Sequence, residues 1–234
     1  MPRVRSPFPK DATLADALKQ LGDIPPRRVR LNPFPGTATE RDLLAVLDHT
    51  NRPCELVDRT LVEKPMGYEQ GYLALWLGGL ISLYAEEHDL GIAAGADATV
   101  RLMPGLVRIP DVSFVGWSRL PNRKCPKKPI PDLVPHLAVE ILSAGNTPSE
   151  MERKLKEYFL AGVEVVWMVN PDERIVDVYR APDEYSRLTE EDSLDGGDLL
   201  PGFRLPLQRL FARVEKTPPR PRRQRGSKRR RDED

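Results

Sequence analysis

One stretch limits the possible folds of this chain more than any other: Leu137-Ala138-Val139-Glu140-Ile141-Leu142, six residues that are apolar apart from one carboxylate. Strict polar/apolar alternation would mark a strand with one wet face. A short continuous apolar run followed by turn residues (here Gly145 and Pro148) marks a strand buried on both sides, as in a sheet covered by helices. Glu140 is then the exception to be explained. A buried carboxylate costs several kcal/mol unless it is paired or binds a metal, so this strand calls for a cation from elsewhere in the chain or from solution.

The surrounding pattern supplies the rest of such a sheet. Residues 55–58 and 60–63 read as two short strands joined at Arg59, and residues 68–87 as the longest helix, with Leu73, Leu77, Leu80 and Tyr84 on one face and Gly91 as its stop. Strands are expected at 92–94, 98–103, 106–109 and 112–115, then at 165–169 and 175–179. A helix over 150–161, closed by Gly162, separates the last two from the Glu140 strand. Residues 183–198 read as acidic turns, and 199–207 as a final stretch packing on the core. This order predicts one α/β domain, a mixed sheet flanked by helices, over residues 51–213. Residues 1–50 form a proline-rich arm with short helices, capped at Thr13 and at Thr39 with Asp42. Residues 214–234 form a basic tail too rich in Arg and Pro to fold alone.

Composition narrows the setting. The longest apolar runs fall far short of the ~18–20 residues that a spanning helix needs, and the first ten residues lack the apolar stretch of a secretory signal. Cys54 and Cys125 offer neither metal-ligand spacing nor a disulfide framework, which favours reduced thiols and a cytoplasmic location. The net charge of +1 hides a polarity. Eight basic residues between Arg220 and Arg231, against three carboxylates at 232–234, leave the tail at +5 and the remainder at −4. Only the tail would attract a polyanion without further specificity.

The second carboxylate with an unusual setting is Asp111, in Val107-Arg108-Ile109-Pro110-Asp111-Val112. On strands next to each other, Asp111 and Glu140 could hold one hard cation through oxygen, as Mg²⁺ prefers. The helix over 150–161 carries two candidate lysines. Its core face is set by Met151, Leu155, Tyr158 and Phe159; Lys154 lies roughly 85° from the centre of that face and Lys156 roughly 115°, a small preference for Lys154. The loop 117–131 holds Arg119, Arg123, Lys124, Lys127 and Lys128, candidates for phosphate contacts. His49, His88 and His136 are too widely spaced for a metal motif, and Ser143 lacks the frame of a nucleophile elbow.

Pro110-Asp111-Val112, the run ending Glu140-Ile141-Leu142-Ser143, Lys154-Leu155-Lys156-Glu157-Tyr158 with Ala161-Gly162-Val163, and Val166-Trp167-Met168-Val169-Asn170-Pro171 stand in an order that resembles the Uma-two family of the PD-(D/E)XK nuclease superfamily. Glu55-Leu56-Val57-Asp58 and Pro201-Gly202-Phe203 extend the resemblance over about residues 55–211. It implies a restriction-endonuclease-like fold and Mg²⁺-dependent (or Mn²⁺-dependent) hydrolysis of DNA phosphodiesters. Asp111 and Glu140 become the metal carboxylates, the backbone carbonyl of Ile141 a further ligand, and Lys154 the catalytic lysine moved from strand to helix. Glu55 falls on the family's early glutamate as an accessory residue. Arg59 stands where relatives usually have Gly, and Tyr68, Glu69 and Gln70 where many carry His, departures on the substrate side. Cutting a duplex with one site per chain would suit a homodimer. The competing expectation is a nucleic-acid-binding or regulatory protein that keeps the fold without turnover.

Overall fold

The structure, a computed structural model, describes residues 7–49, 52–65 and 67–212. In chain order its elements are α1 (Leu14–Gln20), α2 (Glu40–His49), β1 (Cys54–Val57), β2 (Thr60–Glu63), α3 (Tyr68–Glu87), β3 (Gly91–Gly95), β4 (Val100–Met103), β5 (Leu106–Arg108), β6 (Val112–Gly116), β7 (Leu137–Ile141), α4 (Pro148–Ala161), β8 (Val165–Asn170), β9 (Ile175–Ala181), β10 (Glu184–Leu188), β11 (Ser193–Asp195), β12 (Arg204–Pro206) and α5 (Leu207–Phe211). The basic tail lies outside the described residues.

The Glu140 strand, β7, sits inside a six-stranded sheet of order β10-β9-β8-β7-β6-β3. It pairs antiparallel with β6 (Val112 opposite Val139) and parallel with β8 (Glu140 opposite Met168). A parallel neighbour requires a crossover, and α4 provides it. Side chains of β7 alternate between two cores. Leu137, Val139 and Ile141 join Leu73, Leu77 and Ile81 of α3 with Leu207, Leu210 and Phe211 of α5. Ala138 joins Met151, Leu155 and Tyr158 of α4, together with Val57, Val62, Val100 and Leu102 of the second sheet. Glu140, two residues on from Ala138, projects into this second core. All five residues of β7 are buried, as the apolar run predicted.

The second sheet has order β2-β1-β5-β4 and packs over α4. Its β1–β2 hairpin turns on Asp58 (φ +45°) and Arg59 (φ +53°), the pair of positive φ values that a two-residue type I′ turn demands. Side chains other than Gly resist that conformation. Both are held by partners: Asp58 Oδ2 accepts from Gln20 Nε2 at 2.7 Å and Arg153 Nη1 at 3.0 Å, while Arg59 donates to the carbonyls of Gly36 and Thr37 at 3.1 Å each.

The N-terminal segment is packed on this core. Leu21 and Ile24 enter the α4 cluster, and Ala38 and Leu43 cover β1 and β2. Arg28 is buried and grips Glu150 at the first turn of α4 through two bonds of 2.6 and 2.7 Å, and it also donates to the carbonyls of Glu63 and Gly145. Thr13 and Thr39 form the expected caps with Asp16 and Asp42.

Three expectations need adjustment. The long helix stops at His88, and Asp89 (φ +53°) rather than Gly91 takes the left-handed position. Gly91 opens β3, where a Cβ would come within 2.1 Å of the Val115 carbonyl, so its role is close strand approach. The buried face of α3 runs through Leu73, Ala74, Leu77, Ile81 and Ala85, with Leu80 and Tyr84 at its margin. Residues 183–198 contain two strands, β10 and β11. The first is exposed and is secured on β9 by the Tyr179–Tyr185 stack (4.9 Å) and the Arg187–Asp177 pair (2.8 Å).

Candidate active site

Glu140 finds its cation on α4. Thr147 caps the helix by accepting from the Glu150 amide, Pro148 opens it, and Gly162 (φ +100°) ends it in the left-handed conformation. Lys154 and Tyr158, one turn apart, then face β7 together. Lys154 Nζ donates to both carboxylate oxygens of Glu140 at 3.0 Å, and Tyr158 Oη donates to Oε1 at 2.5 Å. Lys154 is 2% exposed, more deeply buried than its position off the core face suggested. Lys156 is exposed and paired with Glu152 at 2.5 Å, away from the cluster.

Glu55 of β1 is the second acid on Lys154, with Oε1 at 3.1 Å. It also accepts from the Ile109 amide at 3.1 Å and Arg108 Nη1 at 2.7 Å. Arg108 is itself bound to Glu157, one turn from Lys154 on the same helix, at 2.5 and 2.9 Å. The electrostatics follow from this layout. Burial alone would raise the Glu55 pKa, but Lys154, Arg108 and Lys64 hold the carboxyl well below the usual carboxylate range. Burial, helped by the negative charges of Asp111 and Glu55, pushes Glu140 upward against Lys154 and Lys64. Burial works against the Lys154 charge, but Glu140 and Glu55 outweigh it, so the amine stays an ammonium ion.

Asp111 sits just before β6. Its amide donates to the Val139 carbonyl at 3.0 Å, and its Oδ2 accepts the Ile141 amide at 2.6 Å. Its carboxylate therefore lies against the residue that follows Glu140. A strand residue sends its N–H and C=O to the same edge, so the Ile141 carbonyl leaves β7 on the side of Asp111. The remaining oxygen, Oδ1, carries the ammonium of Lys64 at 2.8 Å, which also donates to the Ile109 carbonyl at 2.5 Å. Among the described residues, no three His, Cys, Asp or Glu side chains form a ligand cage. Asp111 and the residue pair Glu140-Ile141 beside it nevertheless offer oxygen donors, the kind that suits a hard cation that keeps several waters. A positive charge already stands at this point, on Lys64.

Asp111 also ends a groove of about 380 Å³ between α3 and β3, lined by Gly71, Gly78, Gly79, Ala93, Ala94 and Asp97. The small side chains leave its walls low. The basic loop begins at the opposite end of β6. Six residue steps of extended chain, about 20 Å, separate Asp111 from Trp117, over whose ring Arg123 lies at 4.7 Å while pairing with Asp89. Lys124 and Lys127 are exposed, and Lys128 faces Asp132 at 3.8 Å.

Tyr158, Arg108 and Lys64 were not singled out from the sequence. Tyr158 falls on the apolar face of α4, and only its hydroxyl sets it apart from a core residue. Arg108 interrupts an apolar strand as Glu140 does, and the same reasoning could have found it. Lys64 at a strand end carries no sequence signal that separates it from a solvated lysine.

A central strand bearing Glu140, an antiparallel neighbour led by Asp111, and a lysine delivered by the crossover helix give a nuclease-like α/β fold. A crystal structure described as that of a putative nuclease belonging to DUF820, from Anabaena variabilis ATCC 29413, superposes with a TM-score of 0.62 over 71% of this chain and 97% of that one, at 21% identity. No curated protein matches the sequence. The chain belongs to the Uma2 family, described as "Putative restriction endonuclease", whose pattern matches residues 40–208.

Proposed function

We propose that this protein is a divalent-metal-dependent endonuclease that hydrolyses DNA phosphodiesters. The observation that carries the reading is the junction of Asp111 and Glu140. Asp111 Oδ2 is bonded to the amide next to Glu140, and both oxygens of Glu140 lie 3.0 Å from one buried ammonium. Family membership and the likeness in fold support nuclease chemistry in general. The all-oxygen donors Asp111, Glu140 and the Ile141 carbonyl support Mg²⁺, with Mn²⁺ as a substitute.

A cation held there would polarise the scissile phosphate and lower the pKa of the attacking water. The protein's own groups do the rest. Tyr158 and Lys154 fix the Glu140 rotamer from α4. The Lys154 ammonium orients the water and stabilises charge growing on the phosphate oxygens, in a site where low dielectric strengthens such contacts. The Gly- and Ala-walled groove ending at Asp111 would admit a sugar-phosphate backbone. Lys127 and Lys128, with the basic tail, are candidate contacts to more distant phosphates. Arg123 is already engaged by Asp89 and Trp117.

The test is plasmid nicking with Mg²⁺ or Mn²⁺, comparing wild type with Asp111→Ala, Glu140→Ala and Lys154→Ala. Nicking by wild type alone is expected, with each variant reduced at least ~100-fold. Binding of DNA without cleavage under any divalent metal would leave the non-catalytic binding protein as the correct reading.

A further inference from the structure

The two acids assigned to the metal are each already neutralised, but by lysines of different character. Lys154 belongs to the middle of α4, is 2% exposed, and is fixed by three contacts to Glu140 and Glu55. Lys64 follows β2, outside any helix or strand; its amide donates to the Pro53 carbonyl at 2.8 Å, and its side chain, 7% exposed, spans from there to the site. Its ammonium holds Asp111 Oδ1 at 2.8 Å and the Ile109 carbonyl at 2.5 Å. Asp111 Oδ2 is committed to the Ile141 amide, so Oδ1 is the oxygen left for a metal. A cation bound there at ~2.1 Å would stand within a few ångströms of the Lys64 ammonium. Two positive centres so close on one oxygen repel strongly in a partly buried site. Metal entry is thus opposed while Lys64 stays, and an incoming anion would draw its ammonium away.

Resting on the nuclease reading above, we infer that Lys64 is a substrate-released counterion. It occupies the cation position at Asp111 in the free protein, and it moves to a phosphate oxygen when nucleic acid enters the groove, so that metal and substrate bind cooperatively. Asp111 lines that groove, so an incoming phosphate passes beside the Lys64–Asp111 pair. No covalent step is involved. One ammonium exchanges a carboxylate for a phosphodiester, and the vacated carboxylate oxygen takes the metal. Lys64 would thereby also become a substrate contact in the loaded complex, set apart from Lys154, which cannot move without breaking the Glu55–Glu140 cluster.

The experiment is Mn²⁺ binding, followed by the free-ion electron paramagnetic resonance signal, with and without a phosphorothioate duplex and corrected for Mn²⁺ bound by duplex alone. Wild type should bind Mn²⁺ on the order of tenfold more tightly with duplex present, and by linkage Mn²⁺ should tighten duplex binding by the same factor. Lys64→Met should bind Mn²⁺ without duplex on the order of tenfold more tightly than wild type, with most of the duplex effect gone; Lys64→Arg should retain the coupling. Asp111→Asn identifies the site by losing Mn²⁺. If duplex leaves the wild-type Mn²⁺ affinity unchanged, a measurement that needs no variant, the inference is overturned. It is also overturned if Lys64→Met, shown folded by circular dichroism, matches wild type in both measurements. Either result leaves the metal site standing. Absence of any Asp111-dependent Mn²⁺ binding in every protein would instead overturn the nuclease reading itself.

Discussion

Replacing Lys154 by Met keeps most of the side-chain volume and removes the charge that Glu140 and Glu55 share. Removing one partner of a buried ion pair costs about 3–5 kcal/mol, because the other charge stays behind. The structure says where that loss falls. Glu55 keeps Arg108 and the Ile109 amide, whereas Glu140 keeps only the Tyr158 hydroxyl among the bonds described for it. The uncompensated charge is therefore essentially one carboxylate, which favours the lower end, about 3 kcal/mol. Adding Glu140→Gln should recover about 2 kcal/mol of that, so the double mutant is more stable than the two single losses predict. Urea unfolding followed by far-UV circular dichroism measures this directly. With a slope near ~2 kcal/mol/M, the midpoint should drop by about 1.5 M. The pH dependence has a definite sign. Burial, with Asp111 and Glu55, raises the folded pKa of Glu140 above its ordinary value of 4.5. Stability linked to its proton is present below that value and is lost as pH rises through the folded pKa. Without Lys154 the rise is larger, so the deficit of Lys154→Met should widen as pH rises above the ordinary 4.5. A loss below about 1 kcal/mol, or strict additivity with Glu140→Gln, would refute the claim that Lys154 compensates a buried carboxylate.

Two further outcomes are expected. Burial, and then Arg119, hold the His136 pKa below its ordinary 6.5, and its Nδ1 accepts the Gly116 amide at 3.0 Å. The unfolded chain therefore takes up this proton first, and stability should fall as pH drops below 6.5 toward the folded pKa; urea midpoints across that window should show a slope that His136→Gln reduces. Deleting residues 219–234 should weaken duplex binding and reduce the magnitude of the salt slope by about 0.9 for each phosphate that the tail contacts. Unchanged slope in a fluorescence-anisotropy titration would exclude the tail as a contact.

The buried strand with one acid was legible because apolar continuity and an isolated charge are both local signals, and β7 is buried along its whole length. Helix phase favoured Lys154 over Lys156 only slightly, yet one is 2% exposed and the other lies in solvent. The difference comes from the second sheet. Glu55 and Arg108 approach from β1 and β5 and turn the flank of α4 into interior, something no helical wheel contains. Strand β10 escaped notice for the opposite reason. Its residues are exposed, and cross-strand pairs to β9 hold it, not an apolar alternation. Lys64 gave no warning, because its partner Asp111 is 47 positions away in the chain.

The Arg28–Glu150 clasp bears on where this protein can be cut. The family pattern begins at residue 40, and an engineer guided by it would trim everything before. The 2%-exposed Glu150 would then be stranded without its guanidinium at the foot of the helix that presents Lys154, and Leu21 and Ile24 would leave a hole beside Tyr158. The unit recognised by ancestry is thus shorter than the unit that can be transplanted. A chimera, a minimal expression fragment or a split-protein design should place its seam upstream of the helix at residues 14–20.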